Sequence, residues 1–143
     1  MIIYCDGGSR GNPGPAASAF VVTQYGVVVY KEGKYLGLET NNVAEYTAVL
    51  LAITWLTKQA KITNSKSQIT INLDSQLVER QLNGKYKIKN EKLKKLSDEI
   101  KLKIVNCKSV TGDTLKIIFK WGYREKNTLA DQLVNETLDK VML

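Results

Sequence analysis

The chain contains no histidine. That absence removes the usual general base and the commonest zinc ligand. It also excludes Ser-His-Asp and Cys-His nucleophile arrangements, so any catalysis rests on carboxylates, metals, Lys, Arg, Tyr or hydroxyls. Cysteine is scarce, with two residues in the whole chain. Two thiols make neither a disulfide framework nor a Cys-rich zinc site. Cys5 lies in an apolar run and reads as strand core. Cys107 is expected to follow a helix and to be semi-exposed. Reduced thiols are expected, as suits an intracellular protein. No apolar run approaches the length that spans a bilayer. No signal peptide is evident either, because the chain opens on Ile2-Ile3-Tyr4-Cys5, a strand-like segment. A soluble, cytoplasmic protein without a membrane partner is therefore expected. Acidic residues are outnumbered, 14 against 21 basic ones, for a formal net charge of +7. A basic surface attracts polyanions, which points to nucleic acid; a Lys-rich surface kept for solubility is the plainer alternative.

What is present fits one domain over residues 1–143. A strand covers about 2–6, and the Gly-rich segment 7–15 reads as a turn. Further strands run from 19 to 23 and from 27 to about 38. Their short connections suggest an antiparallel meander. Thr40-Asn41-Asn42 then offers a helix N-cap, with Glu45 three residues beyond Asn42. The helix it opens runs to about Gln59. It is apolar almost all round, which marks a buried central helix. A polar linker, 63–67, leads to a strand at 68–73. A short helix follows Asp74 and stops near Asn83-Gly84. The next helix begins near Asn90, with Leu93, Leu96, Ile100 and Ile104 on one face and lysines on the other. A strand at about 114–120, a loop at 121–126 and a helix at about 127–141 complete the chain. The order is β-β-β-α-β-α-α-β-α, an α/β class. Strands joined through helices run parallel, so the first, fourth and fifth form the parallel part of a mixed sheet.

Four acids stand at distinctive points of this scheme: Asp6, Glu45, Asp74 and Asp131. Each has a plain explanation. Asp6 could open a Gly turn, Glu45 could complete a capping box with Asn42, and Asp74 could cap the helix after it. Asp131 could favour the positive end of the last helix. Taken together they suggest more. Asp6 and Asp74 are expected to end neighbouring parallel strands, at the edge where ligands bind in open α/β sheets. Glu45 and Asp131 are expected in the first turns of their helices. Four carboxylates in one cleft repel one another unless cations hold them, which suggests hard divalent metals and phosphate chemistry.

The surrounding residues resemble a known family. Asp6-Gly7-Gly8-Ser9-Arg10-Gly11-Asn12-Pro13-Gly14-Pro15, Thr40-Asn41-Asn42 before Glu45, Asp74-Ser75-Gln76, and Asn127 to Asp131 resemble, in order, the four signatures of type 1 ribonuclease H. The resemblance covers nearly the whole chain. It implies an RNase H-like fold, a five-stranded mixed sheet with helices on both faces. It further implies an endoribonuclease that cuts the RNA strand of RNA–DNA hybrids, leaving a 5′ phosphate and a 3′ hydroxyl. Two Mg²⁺ ions are implied, with Mn²⁺ as the other candidate. Asp6 would bridge both ions, Glu45 and Asp74 would hold the one that activates water, and Asp131 would help hold the other. By the same resemblance Gly8, Ser9, Arg10, Gly11, Asn12, Thr40, Asn41 and Gln76 contact substrate, Thr40 at a DNA-strand phosphate. Turn and capping roles stay open for the amides. A monomer with no obligatory protein partner is expected.

The chain departs from the family twice. Many members have a histidine in the loop before the last helix; here that loop reads Trp121-Gly122-Tyr123-Arg124-Glu125-Lys126. Arg124 is the candidate source of positive charge near the scissile or departing phosphate, though an arginine is no base at neutral pH and could be a solvated loop residue. Some members also carry a long basic protrusion, and the segment 84–90 is too short for one. Lys85, Lys87, Lys89, Lys92, Lys94 and Lys95 could share its phosphate contacts or be a solvated face. Three other readings remain. One is a non-catalytic or broader-specificity member of the superfamily, another an integrase-like or resolvase enzyme. The third is a domain cut from a reverse transcriptase, against which the start at Met1 argues.

Overall fold

The computed structural model describes residues 1–59, 68–111, 115–122 and 127–142. They form strands β1 (Ile2–Ser9), β2 (Gly14–Gln24), β3 (Val27–Glu39), β4 (Gln68–Leu73) and β5 (Lys116–Trp121). The helices are α1 (Asn41–Lys58), α2 (Gln76–Leu82), α3 (Glu91–Thr111) and α4 (Thr128–Val141). The sheet order is β3-β2-β1-β4-β5. The first three strands pair antiparallel, and β1–β4 and β4–β5 pair parallel. The mixed sheet and the element order are those read from the sequence.

Helices cover both faces. On one, Ile3, Cys5, Phe20, Val22, Ile69 and Ile71 pack with α1, α2 and α3. On the other, Ala17 and Ala19 pack with Val134 and Leu138 of α4. Helix α1 lies between the sheet and α3, which is why it is apolar all round. Ala44, Ala48 and Ala52 recur every four residues and are fully buried. Small side chains at that spacing let a helix approach its neighbour closely. No helix among the described residues is long and apolar enough to cross a membrane.

Several boundaries differ from the sequence reading. Strand β1 runs on to Ser9, because Gly7, Gly8 and Ser9 pair with Ser18, Ala17 and Ala16. The Gly-rich turn therefore shrinks to Arg10–Pro13, where Gly11 takes a φ of +89° that few side-chain-bearing residues adopt. Strand β2 starts at Gly14 rather than Ala19, and Trp121 closes β5 instead of opening the loop. Cys107 lies inside α3 and is fully buried, since it continues the apolar face of Leu93 and Ile100. Neither cysteine is in a disulfide. The expected linker 63–67 lies outside the described residues.

Candidate active site

Where β1 meets β4, the parallel ladder ends at the pair Cys5 and Leu73. The residue after each of these is an acid, so Asp6 and Asp74 are neighbours across that edge. Asp6 does not end its strand, contrary to the sequence reading. It stays paired with Ala19 of β2 and is 6% exposed.

Two contacts seat α1 against this edge. Gly7 leaves room for the helix backbone: a Cβ there would stand 2.2 Å from the Ala44 carbonyl carbon and 2.4 Å from the Glu45 nitrogen. The Ser18 hydroxyl, opposite Gly7, donates to the Ala44 carbonyl at 2.5 Å. Glu45 is thereby held beside Asp6. It falls in the second turn of α1, not the first, because Thr40 is the N-cap and accepts from the Val43 amide. The capping box between Asn42 and Glu45 does not form. Asp74 is likewise no cap, since Ser75 caps α2 by accepting from Val78. Tyr46, buried next to Glu45, donates to Gln81 at 2.6 Å and ties α1 to α2. Burial, and then the Glu45 charge, push its hydroxyl up to about 12.

Helix α4 reaches the site through a bond that the sequence did not disclose. The buried Asn127 side chain donates to the Cys5 carbonyl at 2.9 Å. This fixes the start of α4 one residue from Asp6 on β1, with Asp131 in its first turn.

All four acids line one cleft of about 560 Å³, together with Gly7, Gly8, Ser9, Arg10, Asn12, Asn41, Asn42, Ser75, Val134, Asn135 and Leu138. Burial pushes the Asp6 carboxyl up to about 8, and the charges of Asp74, Asp131 and Glu45 add to the shift. The shift has that cause because the four face a common space. Among the described residues, no three such side chains are gathered at the spacing of ligands to a single ion. Closing on one would take rotation of carboxylates about their side-chain single bonds. The donors are hard oxygens, and a cation among them removes the cause of the raised Asp6 value. The set therefore fits a hard divalent ion. The Cys5 thiol beside it is pushed up by burial and by Asp6, which leaves it protonated and inert.

One wall of the cleft is a ring of polar contacts. The Asn41 side-chain oxygen accepts from the Ser9 amide at 2.8 Å and the Ser9 hydroxyl at 3.1 Å. The Asn12 side-chain oxygen accepts from the Asn41 amide at 3.0 Å. Gly11 lies in the turn and Thr40 at the cap, while Gln76 is the exposed first residue of α2. None of these three lines the cleft. Arg124 lies outside the described residues. The α4 lining residues Val134, Asn135 and Leu138 were not anticipated. The signal available for them was the spacing of Val134 and Leu138 on one helical face.

The strand order, with helices on both faces and the acids gathered at one edge, is the RNase H-like architecture expected from the sequence. A model of the RNase H family matches residues 1–139. LC11-RNase H1, solved in complex with an RNA/DNA hybrid, is similar at 39% identity and a TM-score of 0.84, covering 99% of each chain. The ribonuclease HI of Halobacterium salinarum is 37% identical over 142 residues, 95% of this chain and 63% of that protein. The bifunctional protein Rv2228c of Mycobacterium tuberculosis is 33% identical over 141 residues, 97% of this chain. The chain spans about a third of the length of that relative, 35%. The chain belongs to the RNase H family, as a compact type 1 member without a protrusion between α2 and α3.

Proposed function

We propose that this chain is an endoribonuclease that hydrolyses the RNA strand of RNA–DNA hybrids and leaves 5′-phosphate and 3′-hydroxyl ends. The observation that carries the reading is the convergence of Asp6, Glu45, Asp74 and Asp131, from four different elements, on one cleft. The four carboxylates are the ligands for two divalent ions, Mg²⁺ or Mn²⁺. When bound, such ions would supply a lowered pKa for an attacking water and charge neutralisation at the entering and leaving oxygens. With no histidine in the chain, this is the available route to a nucleophile at neutral pH. The chain works as one catalytic unit and as a monomer, in the cytoplasm. Arg124 and Gln76 keep their roles as candidate substrate contacts, as do Thr40 and the backbone of Gly8–Gly11.

Strand choice follows from the polar ring. The oxygens of Asn12 and Asn41 are engaged inside the protein, so their amino groups are the ends left for a ligand. Donors suit the 2′ oxygen that marks RNA, and the acceptors that every base pair shows in the minor groove. Asn41→Ala removes both the brace to Ser9 and the donor. Asn41→Asp keeps the accepting oxygen, removes the donor and adds a negative charge to the acidic cleft. Both are expected to lower kcat/KM on a hybrid by about tenfold, the scale of one to two hydrogen bonds. Wild-type kinetics in the Asp variant would confine Asn41 to bracing the turn.

The reading is tested by labelling each strand of an RNA–DNA hybrid, an RNA duplex and a DNA duplex, then digesting with Mg²⁺ or Mn²⁺. Cuts confined to the RNA of the hybrid are expected, and none with a chelator. Binding without cutting under either metal would make this a non-catalytic member of the family.

A further inference from the structure

The cleft extends beyond the acids. It runs along α4 past Val134 and Asn135 to Leu138, and its far wall is Arg10. Among the described residues lining it, Arg10 is the only cation, against four carboxylates. A sugar-phosphate backbone entering such a cleft needs a positive contact away from the acidic end. The Arg10 guanidinium is held in place. Its Nη2 donates to Asp139 at 2.6 Å and to the Asn135 carbonyl at 3.4 Å, and its Nη1 reaches the Met142 sulfur at 3.4 Å. These contacts engage three of the five N–H groups of an arginine and leave two for a ligand. Its own backbone is fixed as well, the Arg10 amide donating to the Pro15 carbonyl at 2.8 Å. Asp131 and Asp139 are eight residues apart on α4, roughly 12 Å along the helix. A phosphate at Arg10 therefore belongs to a nucleotide other than the one cut.

We propose that Arg10 seats a backbone phosphate flanking the scissile one, and that Asp139 is the positioning residue that holds Arg10 toward the cleft. This rests on the hybrid-cleavage reading above. Asp139 itself is exposed and touches no reacting atom. Its carboxylate fixes one edge of the guanidinium fork, so that less side-chain freedom is lost when phosphate binds.

The test is steady-state cleavage of a strand-labelled hybrid by Arg10→Ala, Arg10→Lys and Asp139→Asn across a range of salt. Arg10→Ala is expected to raise KM about tenfold, with most of the change in KM rather than kcat. It should also lower the slope of log KM against log salt by about one, the signature of one lost phosphate contact. Arg10→Lys keeps the charge, so the wild-type slope with an intermediate KM is expected. Asp139→Asn should raise KM about threefold at the wild-type slope, because the contact is loosened but not removed. Arg10→Ala with wild-type KM and slope would overturn the proposal, as would a reduced slope in Arg10→Lys. A lower KM in Asp139→Asn would also overturn it, by making Asp139 a competitor of phosphate. If Arg10→Ala does not fold, the Arg10→Lys and Asp139→Asn results decide. A wild-type chain that cuts no hybrid defeats the parent reading instead, an outcome separate from all of these.

Discussion

Replacing Asp6 with Asn is expected to abolish hybrid cleavage at saturating Mg²⁺, and also to stabilise the folded chain when no divalent ion is supplied. The two effects share one cause. Asp6 is buried at the junction of three other carboxylates, and its own carboxyl is pushed up to about 8. An unfolded chain releases that proton near 3.9. Between these values the folded state holds more protons than the unfolded one, so stability falls as pH rises. The contribution is fully present below about pH 4 and is lost on approaching pH 8. Asparagine has the same shape and no charge to bury. At pH 8 without divalent ions the variant should gain several kcal/mol over wild type, up to about 5 kcal/mol, and almost nothing at pH 4. Urea unfolding at the two pH values, with a chelator present, measures this. Mg²⁺ should stabilise wild type more than the variant at pH 8. For turnover, several kcal/mol of charge stabilisation correspond to a loss of about a thousandfold or more. Appreciable cleavage by the variant would remove Asp6 from the centre. Equal pH dependence of the two proteins would mean that the four acids do not share a field.

The second large effect concerns a residue with no side chain. Gly7→Ala is expected to lower stability by about 3 kcal/mol, the upper end for an overpacked site. That corresponds to roughly 10 °C in Tm for a chain of this size. The added methyl would stand 2.2 Å from the Ala44 carbonyl carbon and 2.3 Å from its oxygen. The methyl is fixed rigidly to one backbone and meets only backbone atoms of another, so no flexible side chain can yield. The helix must lift, which stretches the Ser18 bond to Ala44 and carries Glu45 away from Asp6. Cleavage should therefore fall together with stability. A melting temperature within a degree or two of wild type would show that α1 is not seated on Gly7.

The element types and their order were readable because each carries a strong periodic signal. In β4, Ile69, Ile71 and Leu73 alternate, and its bounds of 68–73 are those expected from sequence. Asn90 was read as the start of α3, and its side chain accepts from Leu93 there. Failures came where the partner is distant in the chain. Gly7-Gly8-Ser9 has turn composition, yet three residues of β2 hold it as strand. Cys107 seemed to follow a helix because nothing local shows the packing that keeps α3 going. The four acids could be singled out by their settings and the family resemblance, and the fold brings them to one cleft. The bond from Asn127 to the Cys5 carbonyl, which fixes α4 against β1, spans 122 positions and leaves no local trace.

Strand β1 continues to Ser9 after its parallel partner has stopped at Leu73. Asp6 is thus carried on a backbone that is still laddered to β2 on one side, whereas Asp74 sits on a bend just past the end of its strand. The quartet is mechanically unequal. One member stands within a ladder, while the backbone carbonyl of Asp74, beyond the strand end, accepts from the Trp121 indole nitrogen at 3.3 Å. The two acids that meet at this edge are therefore mounted differently, one inside a sheet and the other where a strand gives way to a helix.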